Sequence, residues 1–216
     1  MESKTKRMTT IAMLAAMAFV MVTFIRIPIV LFLEYEPKDI IITLGGFIWG
    51  PLTSFIVSVV VSLIELVTIS EDGILGFVMN IISTCSFACT AAFIYKKKRT
   101  LYGAVIGLFT GTLLMVAVML LWNYLIAPIY MGFPREAVAE LLIPAFLPFN
   151  LIKGGLNAAF TFMLYKPVTT ALRKTGYIST SDKEKTPKKK PIGLWILFGI
   201  IAITCILLTL SLNGII

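Results

Sequence analysis

The segment Pro148-Phe149-Asn150-Leu151-Ile152-Lys153-Gly154-Gly155-Leu156-Asn157 sets two amides and an ammonium inside an otherwise apolar stretch that runs from about residue 141 to 165. A run of that length crosses a bilayer as a helix, and polar groups within a span require a reason. Asn150 and Lys153, three positions apart, share one helix face. An ionisable group at membrane depth marks a functional site turned to a cavity or to the bundle interior. Pro144 and Pro148, just upstream, free backbone carbonyls that another polar group must satisfy. The competing reading is that Lys153 snorkels to an interface and Asn150 caps a turn.

The rest of the chain decides in favour of a membrane protein. Of 216 residues 58 % are hydrophobic and 14 % charged, and the apolar residues fall in runs of spanning length, so the expectation is an all-α integral membrane protein. The net charge of +8 is clustered at the ends of those runs, where topology and anionic lipid explain it better than nucleic acid does. With no histidine and three cysteines, histidine-based acid/base chemistry, the usual triads and most zinc sites are excluded. Cys85 and Cys89 share one face of an apolar helix and read as small buried residues.

Residues 1–7 are a basic N-terminal segment, and Met8 to Ile27 a retained first helix rather than a signal peptide. Its Ala12-x-x-x-Ala16 stripe, with Ala15 and Ala18 nearby, admits a close neighbour. Residues 28–39 form a partly acidic loop. The apolar region from Ile40 to Ile69 is broken at Gly50-Pro51 and reads as two spans, about 39–50 and 51–69. A single crossing would leave Lys96-Lys97-Lys98-Arg99 outside. An outer turn at Glu71-Asp72-Gly73 leads to a fourth span, 74–95. The fifth, 101–125, carries Gly103, Gly107 and Gly111 as a close-packing stripe. An outer loop through Pro128, Gly132 and Pro134 leads to the sixth, 141–165. A basic linker, 173–191, precedes a seventh apolar run, 192–212.

The orientation follows from the basic residues. Three Lys or Arg at the N-terminus, four at 96–99 and eight from Lys166 to Lys190 lie on one side, fifteen of nineteen, which places that side and the N-terminus in the cytoplasm. Depth can then be compared at about 1.5 Å per residue. Asn80, Asn123 with its neighbours Trp122 and Tyr124, Asn150, Lys153 and Glu65 come to one level near the outer ends of their helices, beneath the long outer loops. This is the layout of a lidded pocket open to the outside. Amides, one ammonium, aromatic rings and apolar wall suit a flat, mostly neutral heterocycle with hydrogen-bonding edges. The alternative is that outer Asn and Trp residues are interfacial anchors. The sequence has no phosphate-binding loop, so it cannot by itself drive transport with ATP, and it has no chain of intramembrane carboxylates for proton coupling.

The stretch LEYEPKDIIITLGGFIWGP from Leu33 to Pro51, GFVMN from Gly76 to Asn80, PFNLIKGGLN from Pro148 and the Ala12/Ala16 stripe together resemble the substrate-capture subunits (S components) of energy-coupling factor vitamin transporters, most closely the riboflavin-specific type. The resemblance covers about residues 8–172. It implies a bacterial, multi-pass six-helix bundle that binds the vitamin from outside and docks on a membrane coupling subunit (T component) served by two cytoplasmic ATPases. It implies no enzyme activity and no cofactor beyond riboflavin as the transported ligand. It assigns riboflavin contacts to Asn150, Lys153 and Asn123, with Asn80, Tyr35 and Asp39, beside which Trp122 can offer a ring face, and coupling-subunit contacts to Ala12 and Ala16. A flavin nucleotide or another vitamin as ligand, or a stand-alone facilitator, remain the alternatives. The seventh segment departs from the six-helix pattern.

Overall fold

The computed structural model describes residues 4–31, 33–69, 73–174 and 192–214; of the sequence features above, residues 1–3, Glu71-Asp72 and most of the 173–191 linker lie outside these. The described chain is helical apart from one β-hairpin. In order it comprises α1 (Lys4–Phe24), β1 (Ile27–Val30), β2 (Leu33–Tyr35), α2 (Lys38–Trp49), α3 (Pro51–Thr68), α4 (Gly73–Thr84), a π turn (Cys85–Cys89), α5 (Thr90–Lys97), α6 (Leu101–Met131), α7 (Arg135–Leu141), a second π turn (Leu142–Phe146), α8 (Leu147–Lys174) and α9 (Ile192–Leu212). Five described helical segments are long and apolar enough to cross a membrane: Pro51–Thr68, Gly73–Lys97, Leu101–Ile129, Arg135–Ala171 and Ile192–Leu212. The apolar part of α1, Met8–Phe24, is shorter.

Three differences from the expected outline have physical causes. The outer loop at 28–39 contains antiparallel strands, pairing Ile27 with Tyr35 and Pro28 with Glu34. Its β-branched and aromatic residues favour extended backbone, and Ile29 and Tyr35 are buried against the bundle. The fifth helix does not stop at Pro128. It continues to Met131 and ends at Gly132, whose positive φ of 68° forms the cap, its N–H bonded to the Pro128 carbonyl. A proline so close to a helix end removes one bond without breaking the axis. The sixth helix likewise begins at Arg135, because Pro144 falls within the wider ring of a π turn that absorbs its missing N–H. The break at Gly50-Pro51 is as expected: Gly50 takes φ 100° and Pro51 occupies the first helical position of α3.

Close backbone packing holds the bundle. A Cβ on Gly107 would stand 2.7 Å from the Ala91 carbonyl oxygen, and one on Gly111 2.6 Å from that of Phe87. The glycine stripe of α6 is therefore the seat of α5 and its π turn. Gly111→Leu should lower the thermal midpoint of the purified protein by several degrees or prevent its accumulation, since overpacking against main chain costs about 1–3 kcal/mol or more. A wild-type melting curve would refute this packing role.

Turning about 100° per residue, the segment around Lys153 meets a different neighbour at each position. Lys153 faces the interior. A Cβ on Gly154 would meet Thr112 of α6 at 2.5 Å, and one on Gly155 would meet Cys205 of α9 at 2.8 Å. Helix α9 is thus packed on α8, with Phe198 stacked on Phe162 at 4.2 Å and Trp195 edge-on to the same ring. Its last turn reaches the hairpin, where Asn213 Nδ2 donates to the Pro28 carbonyl at 2.9 Å. At the opposite end of the bundle Phe47, Tyr95 and Tyr165 form a ring cluster in which the two tyrosine hydroxyls are hydrogen-bonded. The helix ends expected on one membrane side therefore meet at one end of the molecule.

Candidate functional site

Beneath the hairpin lies a cavity of about 350 Å3, within the size range of small-molecule sites. One wall comes from α6 and α8 and carries Met119, Asn123, Phe149, Asn150 and Lys153. Helices α3 and α4 contribute Glu65, Met79, Asn80 and Ser83, and the hairpin side contributes Arg26, Leu33, Glu34 and Glu36. Helical spacing explains both sets: Asn80 and Ser83 are three apart, Met119 and Asn123 four, and Phe149 and Lys153 four, so each group shares a face. Five of the residues expected at this level, Glu65, Asn80, Asn123, Asn150 and Lys153, are brought together here.

Asn123 and Asn150 are buried, and each donates one amide hydrogen to the carbonyl four residues earlier, Met119 and Phe146 respectively, both at 2.8 Å. Each therefore keeps its Oδ1 and a second N–H for another partner. Lys153 Nζ lies 3.7 Å from Asp39 Oδ2. Asp39 is fully buried and does not line the cavity. It accepts from Thr84 Oγ1 at 2.6 Å and Asn157 Nδ2 at 3.2 Å, and Tyr35 donates to Asn157 Oδ1 at 2.9 Å. Tyr35 and Asp39 thus stand behind Lys153 as a network joining hairpin, α2, α4 and α8, and aim the ammonium from below. Burial, with Asp39 and Cys205 nearby, pushes the Tyr35 phenol above its ordinary range, which keeps it the donor in that network.

The hairpin is fastened by charge. Lys38, 1 % exposed, lies 2.8 Å from Glu36 Oε2 and 2.6 Å from Glu65 Oε2, and Asn80 Nδ2 donates to the same Glu65 oxygen at 3.1 Å. Burial works against the Glu36 charge, but Lys38, Lys153 and Arg26 outweigh it and hold the carboxyl below its ordinary value. Breaking a buried pair on one side leaves an uncompensated charge, so these groups hold β2 to α2 and α3.

Trp122 lies outside the lining, half-buried against the main core, its Nε1 without a hydrogen-bond partner among the described residues. Ala12 and Ala16 are exposed on α1, whereas Ala15 and Ala18 are buried against the bundle. The sequence features expected to form a site did not include Arg26, Glu34, Glu36 or Ser83 in the lining, nor Asn157 behind it. Two signals could have found some of them. Ser83 is three positions beyond Asn80 and Asn157 four beyond Lys153, each on the same face as its partner. A lysine at a span entrance also calls for buried acids, here Glu36 beside the already expected Glu65.

The cavity offers hydrogen-bond donors and acceptors together with the apolar side chains of Met79, Met119 and Phe149. Comparison with known proteins gives this cavity its setting. The profile of the family "ECF transporter, substrate-specific component" matches residues 6–165. The riboflavin transporter RibU of Staphylococcus aureus (strain TCH60) is 32 % identical over 178 residues, covering 78 % of this chain and 93 % of that protein. The riboflavin transporter FmnP of Bacillus subtilis (strain 168) is 30 % identical over 177 residues, covering 76 % and 92 %. A solved structure of the S component of a bacterial ECF transporter superposes with a TM-score of 0.68 at 31 % identity, covering 79 % of this chain and 99 % of that one. Helix α9 lies beyond the residues that the family profile spans. With a family profile over most of its length and the fold of a solved S component, the chain belongs to the substrate-specific components of ECF transporters.

Proposed function

We propose that this protein captures riboflavin from outside the cell and delivers it for uptake as the substrate-specific subunit of an ATP-driven ECF transporter. One observation carries the reading: Asn123, Asn150 and Lys153 line one cavity in a chain 32 % identical to a riboflavin transporter. An amide presents an adjacent donor and acceptor, which matches the imide edge of the isoalloxazine ring, and an ammonium donates to a ring carbonyl. Asn80 extends the polar lining on the other wall, with Tyr35 and Asp39 as the support of Lys153. In this reading residues 8–172 are a six-helix bundle, 173–191 a basic cytoplasmic linker and 192–213 a seventh crossing, with residues 1–7 in the cytoplasm of a bacterial cell. The partners are a membrane coupling subunit, met through Ala12 and Ala16, and two cytoplasmic ATPases.

The test is spectroscopic. Protein purified from riboflavin-replete cells should be yellow and carry about one flavin per chain. The ionisable residues of the lining are Glu34, Glu36 and Glu65 with Arg26 and Lys153, and with Lys38 paired to Glu36 and Glu65 no excess of cations is left to favour a phosphate. Riboflavin should accordingly outcompete its 5′-phosphate by at least about tenfold, the equivalent of ~1.4 kcal/mol. Stoichiometric binding of an unrelated vitamin with no flavin affinity would overturn the assignment, and uptake in vesicles that lack the ATPases would overturn the subunit role.

A further inference from the structure

Helix α9 lies beyond the residues that the family profile spans, and its buried face ends in a polar residue. Phe198, Ala202, Cys205 and Thr209 are buried and recur every three or four positions, so they form one stripe along the helix. Asn213, four beyond Thr209, continues it. Cys205 enters the space that Gly155 leaves, where a Cβ would stand 2.8 Å from its Sγ, and this contact sets how closely α9 seats on α8. Asn213 comes eight residues later, about 12 Å along the axis, where α9 meets β1.

The two strands of the hairpin are held by different parts of the bundle. On the β2 side, Tyr35 donates to Asn157 of α8, and Glu36 is paired with Lys38. On the β1 side, Pro28 has no N–H to give, and its carbonyl accepts from Asn213 Nδ2 at 2.9 Å. The same amide nitrogen donates to the Thr209 carbonyl, also at 2.9 Å, which fixes the amide plane and aims the other N–H at the strand. Beneath, the fully buried Ile29 sits with Tyr35 among Phe149, Ile152 and Leu156 of α8 and Cys205 of α9, with Ile201 of α9 packed against them. Helix α9 thus supplies part of the seat on which the hairpin rests. Leu33 and Glu34 of that hairpin line the cavity, so freedom in the hairpin is freedom at the cavity's border. We propose that α9 is a latch on the hairpin: Asn213 holds β1 down beside the cavity and slows the exchange of its ligand. Asn213 does not line the cavity; it is a positioning residue that acts through the strand. That the ligand is riboflavin rests on the reading above, whereas the hold on the hairpin does not.

The experiment uses two single variants of the purified full chain, Asn213→Asp and Asn213→Ala. Asp keeps the shape but can only accept, so a carboxylate oxygen would face the Pro28 carbonyl; Ala removes the group altogether. Asn213 is exposed at the end of α9, so neither change opens the buried packing. In the ligand-free protein, hydrogen–deuterium exchange over residues 27–35 should quicken about threefold or more, with exchange in α6 and the melting temperature at their wild-type values. With riboflavin bound, the dissociation rate followed by fluorescence should rise about threefold or more. Asn213→Asp should move both at least as far as Asn213→Ala. Wild-type exchange in the hairpin of both variants would overturn the latch, as would a rise spread evenly over the bundle. Dissociation at the wild-type rate from a protein whose hairpin has loosened would overturn its control of ligand exchange. A wild type that binds no riboflavin would overturn the riboflavin reading, and the exchange measurement would still decide whether α9 holds the hairpin.

Discussion

Lys153→Ala and Asn150→Ala should each weaken riboflavin binding by roughly tenfold to a hundredfold, with the protein still made and inserted. Each change removes a cavity hydrogen bond worth about 1–3 kcal/mol, and a bond to a charged donor falls in the upper part of that range. Loss of Lys153 strips the buried Asp39 of a cation 3.7 Å away, a cost to stability that the other partners of Asp39 limit. The Asp39 carboxylate still accepts from Thr84 and Asn157, two charge-assisted bonds that hold it in place. Asn150→Ala loses an additional bond to the Phe146 carbonyl and Lys153→Ala leaves Asp39 short of a cation, so both should also lower the melting temperature. Titration of riboflavin fluorescence against both variants measures the effect, and unchanged affinity in both would remove the α6–α8 wall from the site.

The second large effect separates binding from transport. Replacing Ala12 and Ala16 together by Leu should leave riboflavin affinity within about twofold and abolish uptake by the assembled transporter. Both alanines are exposed, with Met13, Met17 and Val20 also exposed around them, whereas Leu14, Ala15, Ala18 and Val22 on the other face are buried in the bundle. A trough between larger side chains lets a partner helix approach closely; filling it with two isobutyl groups denies that approach. Neither alanine lines the cavity, so binding has no reason to change. Uptake measured in cells carrying the complete transporter decides it, and transport at the wild-type rate would move the docking face elsewhere.

The order of the apolar helices and the level of the cavity were legible in the sequence because both follow from one-dimensional signals. Basic residues mark ends, and a polar residue in an apolar run marks an interior face. Those signals brought Asn80, Asn123, Asn150 and Lys153 to a common depth, where the cavity lies. The roles of Tyr35 and Asp39 were harder to read. Both were expected at the ligand, and the geometry sets them behind Lys153 through Asn157, a residue more than a hundred positions away along the chain for each. No local pattern encodes a contact of that range. The hairpin was read as loop because strands of four and three residues are too short to display a period. They persist by burying Ile29 and Tyr35 and by the Lys38 ion pairs. Trp122 was expected to offer a ring to the ligand on the strength of its neighbour Asn123, yet adjacent helical residues point about 100° apart, and Trp122 turns into the core.

The π turn at Cys85–Cys89 has a genetic corollary. It holds one residue more than an α-helical turn would, so deleting a single codon there would restore a regular helix with Asn80 and Ser83 at nearly their present angle to Ala91 and Ala92. In a regular helix the same deletion would rotate one half by about 100° against the other. The π turn is therefore a place where this helix can lose a residue while α5 keeps its seat on the glycines of α6 and the cavity keeps its lining.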